Sequence, residues 1–308
     1  MAHNLQHILV IGVSSRALFD LEQENAIYKE QGLAAFASFQ STNATTLLAK
    51  GTAFPLVEAL LNLNKLSDER LVEVVIMSKN SPDTGLRMMH AIEHFGLDIS
   101  RAALTGGESL APYLGAFDID LFLSKDEDDI QLAVDAGVAA ALLYNQPDQE
   151  NNTLETGQVR FAFDADAVVF SDESEIIYKQ HGLQAFLEHE KMLRDSPLNE
   201  GPFAKLIKML SVIQQKFPLG DAPIRIAIVT ARNSPAHIRV VKTLNAWGVY
   251  IDTAFFLGGL SKDKFLQAFK PHIFFDDQEI HLESASKLVP SAKVPYMSNS
   301  VLNNKNKK

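Results

Sequence analysis

Four short stretches in the second half of the chain carry side chains suited to phosphoryl transfer. Phe163-Asp164-Ala165-Asp166 sets two carboxylates two residues apart. Thr230 offers a hydroxyl, Lys262 an ammonium shortly after Gly258-Gly259, and Asp276-Asp277 two adjacent carboxylates. Moving a phosphoryl group requires a nucleophile, donors that neutralise the phosphate oxygens, and hard oxygen ligands for Mg²⁺. Alone, each stretch has a plainer meaning. Asp-x-Asp after a strand is a common turn or helix cap, and Asp276-Asp277 could be a solvated loop. Thr230 could be a strand-end hydroxyl and Lys262 a surface charge. Their shared placement favours chemistry, because they emerge at the C-terminal ends of predicted strands.

Those strands are short apolar runs: Val159–Phe163, Ile226–Val229 and His272–Phe275, matched in the first half by Ile8–Val13, Val74–Met77 and Ile119–Leu123. Between them, Phe203, Leu206, Ile207, Leu210 and Ile213 have helical spacing. Asn-Ser-Pro opens a helix in each half, with Ser81 and Ser234 as caps and Pro82 and Pro235 in the first turn. Gly96 and Gly248 stand where those helices end. Strands alternating with helices predict an α/β fold with parallel sheets and ligands beyond the strand C-termini.

The chain also repeats itself. AIYKEQGLAAF (Ala26–Phe36) matches IIYKQHGLQAF (Ile176–Phe186), and GTAFPLVEALL from Gly51 matches GPFAKLIKML from Gly201. VVIMSKNSP from Val74 matches IAIVTARNSP from Ile226, and LTGGESLAPYL from Leu104 matches FLGGLSKDKFL from Phe256. The order is kept at a nearly constant offset, so the repeating unit is a whole domain. We expect domains over 1–143 and 158–300, a polar linker over 144–157 (YNQPDQENNTLETG) and a frayed polar tail over 301–308.

Composition narrows the function. A net charge of -10 disfavours a nucleic-acid groove, since phosphate backbones are gripped by clustered cations. No cysteine occurs, which excludes disulfides, thiolate catalysis and Cys-based zinc sites. The polar start lacks signal-peptide character, and no apolar run approaches the ~20 residues of a membrane helix. The expectation is a soluble cytoplasmic protein, without nucleic-acid or membrane partners.

Phe-Asp-x-Asp, Val-Thr-Ala-Arg, a lone lysine and Phe-Phe-Asp-Asp together resemble the four motifs of the haloacid dehalogenase superfamily. More narrowly, the chain is similar to the cytosolic 5′-nucleotidase type I family. VSSRALFD (Val13–Asp20), FDADAVVFSDESE (Phe163–Glu175), GLQAFLEHEK (Gly182–Lys191), VTAR (Val229–Arg232), KTLNAWG (Lys242–Gly248) and KPHIFFDDQ (Lys270–Gln278) carry the likeness. The resemblance implies two tandem haloacid-dehalogenase-like, Rossmannoid domains from an internal duplication, the second catalytic with a small helical cap insert. It implies Mg²⁺-dependent hydrolysis of nucleoside 5′-monophosphates such as AMP. Asp164 would attack phosphorus and form an aspartyl-phosphate, while Asp166 protonates the leaving oxygen and then activates water. Thr230 and Lys262 would hold the phosphate. Asp277, Asp164 and the Asp166 carbonyl would ligate the metal, with Asp276 either a ligand or a support for its neighbour. Such a protein is compatible with a homo-oligomer. Phosphatase action on another small phosphometabolite, and a non-catalytic nucleotide-binding regulator, are the alternatives.

Around this set, Arg232 is read either as a phosphate contact or as the partner of a local acid, and Asp172 as a helix cap or a more distant catalytic group. The insert between Asp166 and Thr230 holds Phe186, which is read as a core residue or a base-stacking one, and His189, a hydrogen-bonded or surface histidine. In the first copy Ser14, Ser15 and Arg16 stand opposite Asp164, Ala165 and Asp166. Ser78 falls within one residue of Thr230, Leu110 replaces Lys262, and Ser124 and Lys125 replace Asp276 and Asp277. Nothing acidic remains there to attack phosphorus or to hold a divalent cation. The first copy is then a structural partner, or an anion site built from Ser14, Ser15, Arg16, Ser78 and Lys125.

Overall fold

Parallel strands covered on both faces read as near-continuous apolar runs, and the first strand of this chain is one. In the computed structural model, which describes residues 5, 7–145, 147, 157–218 and 220–303, strand β1 (Leu9–Val13) is buried at every position. The chain divides into two units, 1–143 and 144–308. The expected linker falls largely, and the expected tail partly, outside the described residues.

In the first unit β1 is followed by α1 (Ser15–Leu18), α2 (Glu22–Thr42), α3 (Phe54–Leu63), β2 (Val72–Ser78), α4 (Pro82–His94), β3 (Arg101–Leu104), α5 (Ala111–Ala116), β4 (Leu121–Ser124), α6 (Glu127–Asp135) and β5 (Ala140–Leu143). All pairings are parallel, in the order β3-β2-β1-β4-β5. Val10, Val75, Met77, Leu114, Phe122 and Ile130 belong to one buried apolar cluster of this unit.

The second unit runs β6 (Val159–Phe163), α7 (Glu173–Met192), α8 (Ala204–Gln214), β7 (Ile224–Thr230), α9 (His237–Ala246), β8 (Thr253–Phe256), α10 (Asp263–Phe269), β9 (Ile273–Asp276), α11 (Glu279–Ala285) and β10 (Ser291–Lys293). Its parallel order is β8-β7-β6-β9-β10, the same as that of the first unit. The registers also agree. Val13 pairs with Ile76 and Leu123, and Phe163 pairs with Ile228 and Phe275. Ser78 therefore occupies the place of Thr230, two residues beyond the paired position, with no slack.

Helix α4 begins as expected: the Ser81 hydroxyl accepts from Thr84 N at 3.3 Å, and Pro82 fills its first position. Helix α9 does not. It starts at His237, after a turn over 234–236, with Ala236 at the cap position and no side-chain cap bond. The bond from His237 N to the Asn233 carbonyl (3.1 Å) closes this turn, so Ser234 and Pro235 precede the helix instead of capping and opening it. Gly96 and Gly248 follow α4 and α9 in the left-handed conformation (φ 61° and 67°).

Helix α7 belongs to an excursion whose two ends meet. Ser171 N donates to the Asn199 carbonyl at 2.9 Å, and Phe170 forms an antiparallel bridge with Glu200. Midway, Gly182 breaks the helix at φ 80°, ψ 179°, a conformation that essentially only glycine adopts. Helix α2 breaks likewise at Gly32 (φ 82°, ψ -178°).

Candidate active site

Strand β6 delivers Asp164 to the C-terminal edge of the second sheet, where its main-chain N–H bonds the Phe275 carbonyl at 2.8 Å. The next turn closes by Phe170 N to the Ala165 carbonyl (2.9 Å) and carries Asp166. Asp164 is buried. Its Oδ1 accepts from Ala165 N at 2.8 Å and lies 3.0 Å from Lys262 Nζ. Oδ2 takes no hydrogen bond among the described residues.

Lys262, at the start of α10, lies between two carboxylates, with Nζ also 2.7 Å from Asp276 Oδ2. Burial alone would favour a neutral amine, but Asp164 and Asp276 hold the ammonium charged well above its ordinary range. Asp276 is fully engaged: it accepts from Gln278 N at 2.8 Å and lies 3.1 Å from His281 Nδ1. Burial opposes its charge, but Lys262 and His281 keep its carboxyl below the usual range.

Asp277 behaves differently. Tyr296 donates its hydroxyl to Oδ2, while Oδ1 is buried with no hydrogen-bond partner among the described residues. Burial, together with the neighbouring Asp164 and Asp276 charges, pushes its carboxyl well above the usual range. Burial likewise lifts Asp164, against the pull of Lys262, to about 7. Carboxylates forced toward neutrality, one with an orphaned oxygen, make a donor set that an added cation would complete. Asp164, Asp276 and His281 also bring ligating atoms within 4.8 Å of one another. In that trio, however, the Asp276 oxygens already serve Lys262, His281 and Gln278. Asp277 is the better candidate ligand.

The side chain of Thr230 is buried at the end of β7, where Oγ1 accepts from Arg232 N at 3.2 Å. Arg232 is buried too, and its fork is spent on acids: Asp166 (2.8 and 2.6 Å) and Glu190 (2.5 Å). Of its two readings, the geometry supports the partner of a local acid. Its Nη2 also meets Ser174 Oγ at 2.9 Å, and Arg239 supports Glu190 from the other side at 2.9 Å. The Phe186 ring lies 5.3 Å from the Arg232 guanidinium and edge-on to Tyr178. His189 stands 3.5 Å from Glu173 and 3.4 Å from Glu190. Asp172 caps nothing with its side chain; Ser300 Oγ donates to it at 2.5 Å.

Glu190, Ser174, His281 and Tyr296 were not singled out in the sequence. The first two lie in a helix of weak apolar patterning, and Tyr296 comes from beyond β10. Only the spacing of His281, five residues after Asp276, offered a signal.

In the first unit Ser14 caps α1 by accepting from Ala17 N at 3.3 Å, and Ser15 and Ser78 share a bond of 3.1 Å. Arg16 and Lys125 both pair with Glu22, each at 3.1 Å.

The 5′-nucleotidase family model matches residues 1–301. The chain belongs to the 5′-nucleotidase family. Within this family it is 37% identical, over 294 residues, to human (Homo sapiens) cytosolic 5′-nucleotidase 1B. The match takes in 92% of this chain and 48% of that protein, so the chain spans about half the length of its curated relative. A solved histidinol dehydrogenase from Elizabethkingia anophelis aligns over 97% of this chain and 82% of its own, at 9% identity and a TM-score of 0.25, too low to bear on fold or function. Among the described residues of this 5′-nucleotidase family member, no helix is long and apolar enough to cross a membrane.

Proposed function

We propose that this chain hydrolyses nucleoside 5′-monophosphates, AMP among them, to nucleoside and phosphate, and that it works in the cytoplasm. The observation that carries this reading is Asp164 at the end of β6, with Lys262 held between it and Asp276. Family membership and the name of the human relative supply the substrate class.

Asp164 Oδ2, the oxygen without a hydrogen bond, attacks phosphorus and the bond to the 5′-oxygen breaks. Asp166 gives a proton to that oxygen, then takes one from the water that cleaves the aspartyl-phosphate. Lys262 and Thr230 bind the phosphate oxygens. Asp164, Asp277 and the main-chain carbonyl of Asp166 are the oxygen donors that would hold Mg²⁺, with Asp276 placing Lys262. Bound there, Mg²⁺ would keep Asp164 ionised and draw charge from the phosphate. Arg232 orients Asp166, and Phe186, packed against Arg232, faces the substrate from the α7 excursion, which acts as the cap.

We read the fold as haloacid-dehalogenase-like and the two units as copies of one ancestral domain. Identical strand order, matching registers and the paired helix breaks at Gly32 and Gly182 support this. Phosphate release from nucleoside monophosphates and sugar phosphates, with and without Mg²⁺, tests the activity. Release from AMP that requires Mg²⁺ is expected. Preference for a sugar phosphate would move the substrate class, and no release from any of them would leave a nucleotide-binding regulator.

A further inference from the structure

The first unit presents serines and cations at the strand ends where the second unit presents acids. Ser14 follows β1, Ser78 ends β2 and Ser124 ends β4, three adjacent strands in register. Ser14, Ser15, Ser78 and Ser124 are each at least nine-tenths buried. Their oxygens accept from main-chain N–H groups: Ser14 from Ala17 (3.3 Å), Ser78 from Asn80 (3.2 Å) and Ser124 from Asp126 (3.1 Å). The Ser15–Ser78 bond uses one hydroxyl proton. Among the described residues the other three have no acceptor, although buried donors are nearly always satisfied.

Next to these serines in the chain come Arg16 and Lys125. Both converge on Glu22, Arg16 Nη2 at 3.1 and 3.3 Å and Lys125 Nζ at 3.1 Å. Burial opposes the Glu22 charge, but Lys125 and Arg16 hold its carboxyl below the usual range. Its side chain is 48% exposed and sits in the first turn of α2, so it can swing into solvent. A carboxylate has two oxygens and one charge. A phosphate dianion has enough oxygens to accept from the hydroxyls while pairing with both cations. A divalent metal is disfavoured, since two cations face it.

We propose that the first unit binds inorganic phosphate or the phosphate of a monoester through Ser14, Ser15, Ser78, Ser124, Arg16 and Lys125, with Glu22 as a built-in anion that the ligand displaces. Binding of radiolabelled orthophosphate and, separately, AMP to the full chain in EDTA tests this by equilibrium dialysis. The proteins are wild type, Glu22→Gln, Lys125→Gln and Arg16→Gln. Glu22→Gln should bind at least about tenfold more tightly, and Lys125→Gln and Arg16→Gln about tenfold more weakly. A gain of affinity cannot come from misfolding. The second unit also binds AMP on the proposed function, so the first-unit site is read from the variants. AMP binding that rises in Glu22→Gln and falls in Lys125→Gln would extend the ligand to monoesters, and such a response with orthophosphate alone would restrict it to the free ion. Equal binding by wild type and all three variants, or none by Glu22→Gln, would overturn the proposal. Phosphate release in Mg²⁺, measured in parallel, should be intact in all four proteins, so failure of this site is separable from failure of the proposed hydrolysis.

Discussion

Arg232 grips Asp166 with two parallel bonds, Nε to Oδ2 at 2.8 Å and Nη2 to Oδ1 at 2.6 Å. This fork occupies both oxygens of the carboxyl group to which proton transfer is assigned, so one bond must open when Asp166 carries the proton, while Glu190, Ser174 and Arg239 hold the guanidinium in place. Arg232→Lys keeps a charge but loses the planar pair of donors. We expect kcat for AMP to fall by roughly a hundredfold with KM little changed. A rise in KM at constant kcat would instead place Arg232 on the substrate phosphate. Arg232→Met leaves Asp166 unpaired and Glu190 half-paired, which should cost about 3–5 kcal/mol in urea unfolding.

Asp164→Asn retains shape but not the attacking charge, and turnover should vanish while the circular dichroism spectrum is kept. Asp166→Asn should lose ~10²–10⁴-fold with AMP. With nitrophenyl phosphate, whose leaving group needs no proton, the loss should be clearly smaller. Equal losses on both substrates would remove Asp166 from the acid role.

Metal removal separates Asp277 from Asp276. EDTA should stop phosphate release and added Mg²⁺ should restore it. Asp277→Asn should raise the Mg²⁺ concentration for half-maximal activity by at least roughly tenfold. Asp276→Asn should act mainly on phosphate binding, through Lys262, with a smaller metal shift. The reverse pattern would make Asp276 the ligand.

His272 gives a stability prediction with a definite sign. Burial, aided by the Arg160 charge, pushes the imidazole from 6.5 down to about 4, and its Nδ1 accepts from Arg160 N at 3.0 Å. Above pH 6.5 both folded and unfolded chains hold it neutral, and its contribution is full. As pH falls from 6.5 toward 4, only the unfolded chain takes up the proton, so stability drops, by roughly 3 kcal/mol in all. Below 4 the effect levels off. His272→Asn keeps an acceptor for Arg160 N and should flatten this part of the urea midpoint against pH. An unchanged slope would show that His272 titrates normally.

How much of this was legible in the sequence depended on the range of each interaction. The runs ending at Phe163, Val229 and Phe275 were readable because buried parallel strands are mostly apolar, and the residues just after such a run lie at the sheet's edge. Asp164, Asp166, Thr230, Asp276 and Asp277 could be placed that way, whereas Lys262 was marked only by the Gly258-Gly259 turn before it. The partners of Arg232 could not, because Asp166 is 66 residues away and Glu190 42, on separate elements. The Asp277 bond from Tyr296 also crosses a helix and a strand that local pattern does not relate. Ser234 misled for a local reason: the same Asn-Ser-Pro caps a helix at 81 but lies in a preceding turn at 234.

The ends of the α7 excursion meet at Ser171 and Asn199, joined by main-chain bonds that do not depend on what lies between. The excursion is in effect a cassette. Its length and lining can be exchanged at those two points while β6 and the turn bearing Asp164 and Asp166 keep their main-chain anchors. Ser174 and Glu190 would have to be kept, since they brace Arg232. On the proposed activity, a chain built this way could take a new leaving group by exchanging most of about thirty residues, without re-evolving the phosphate chemistry.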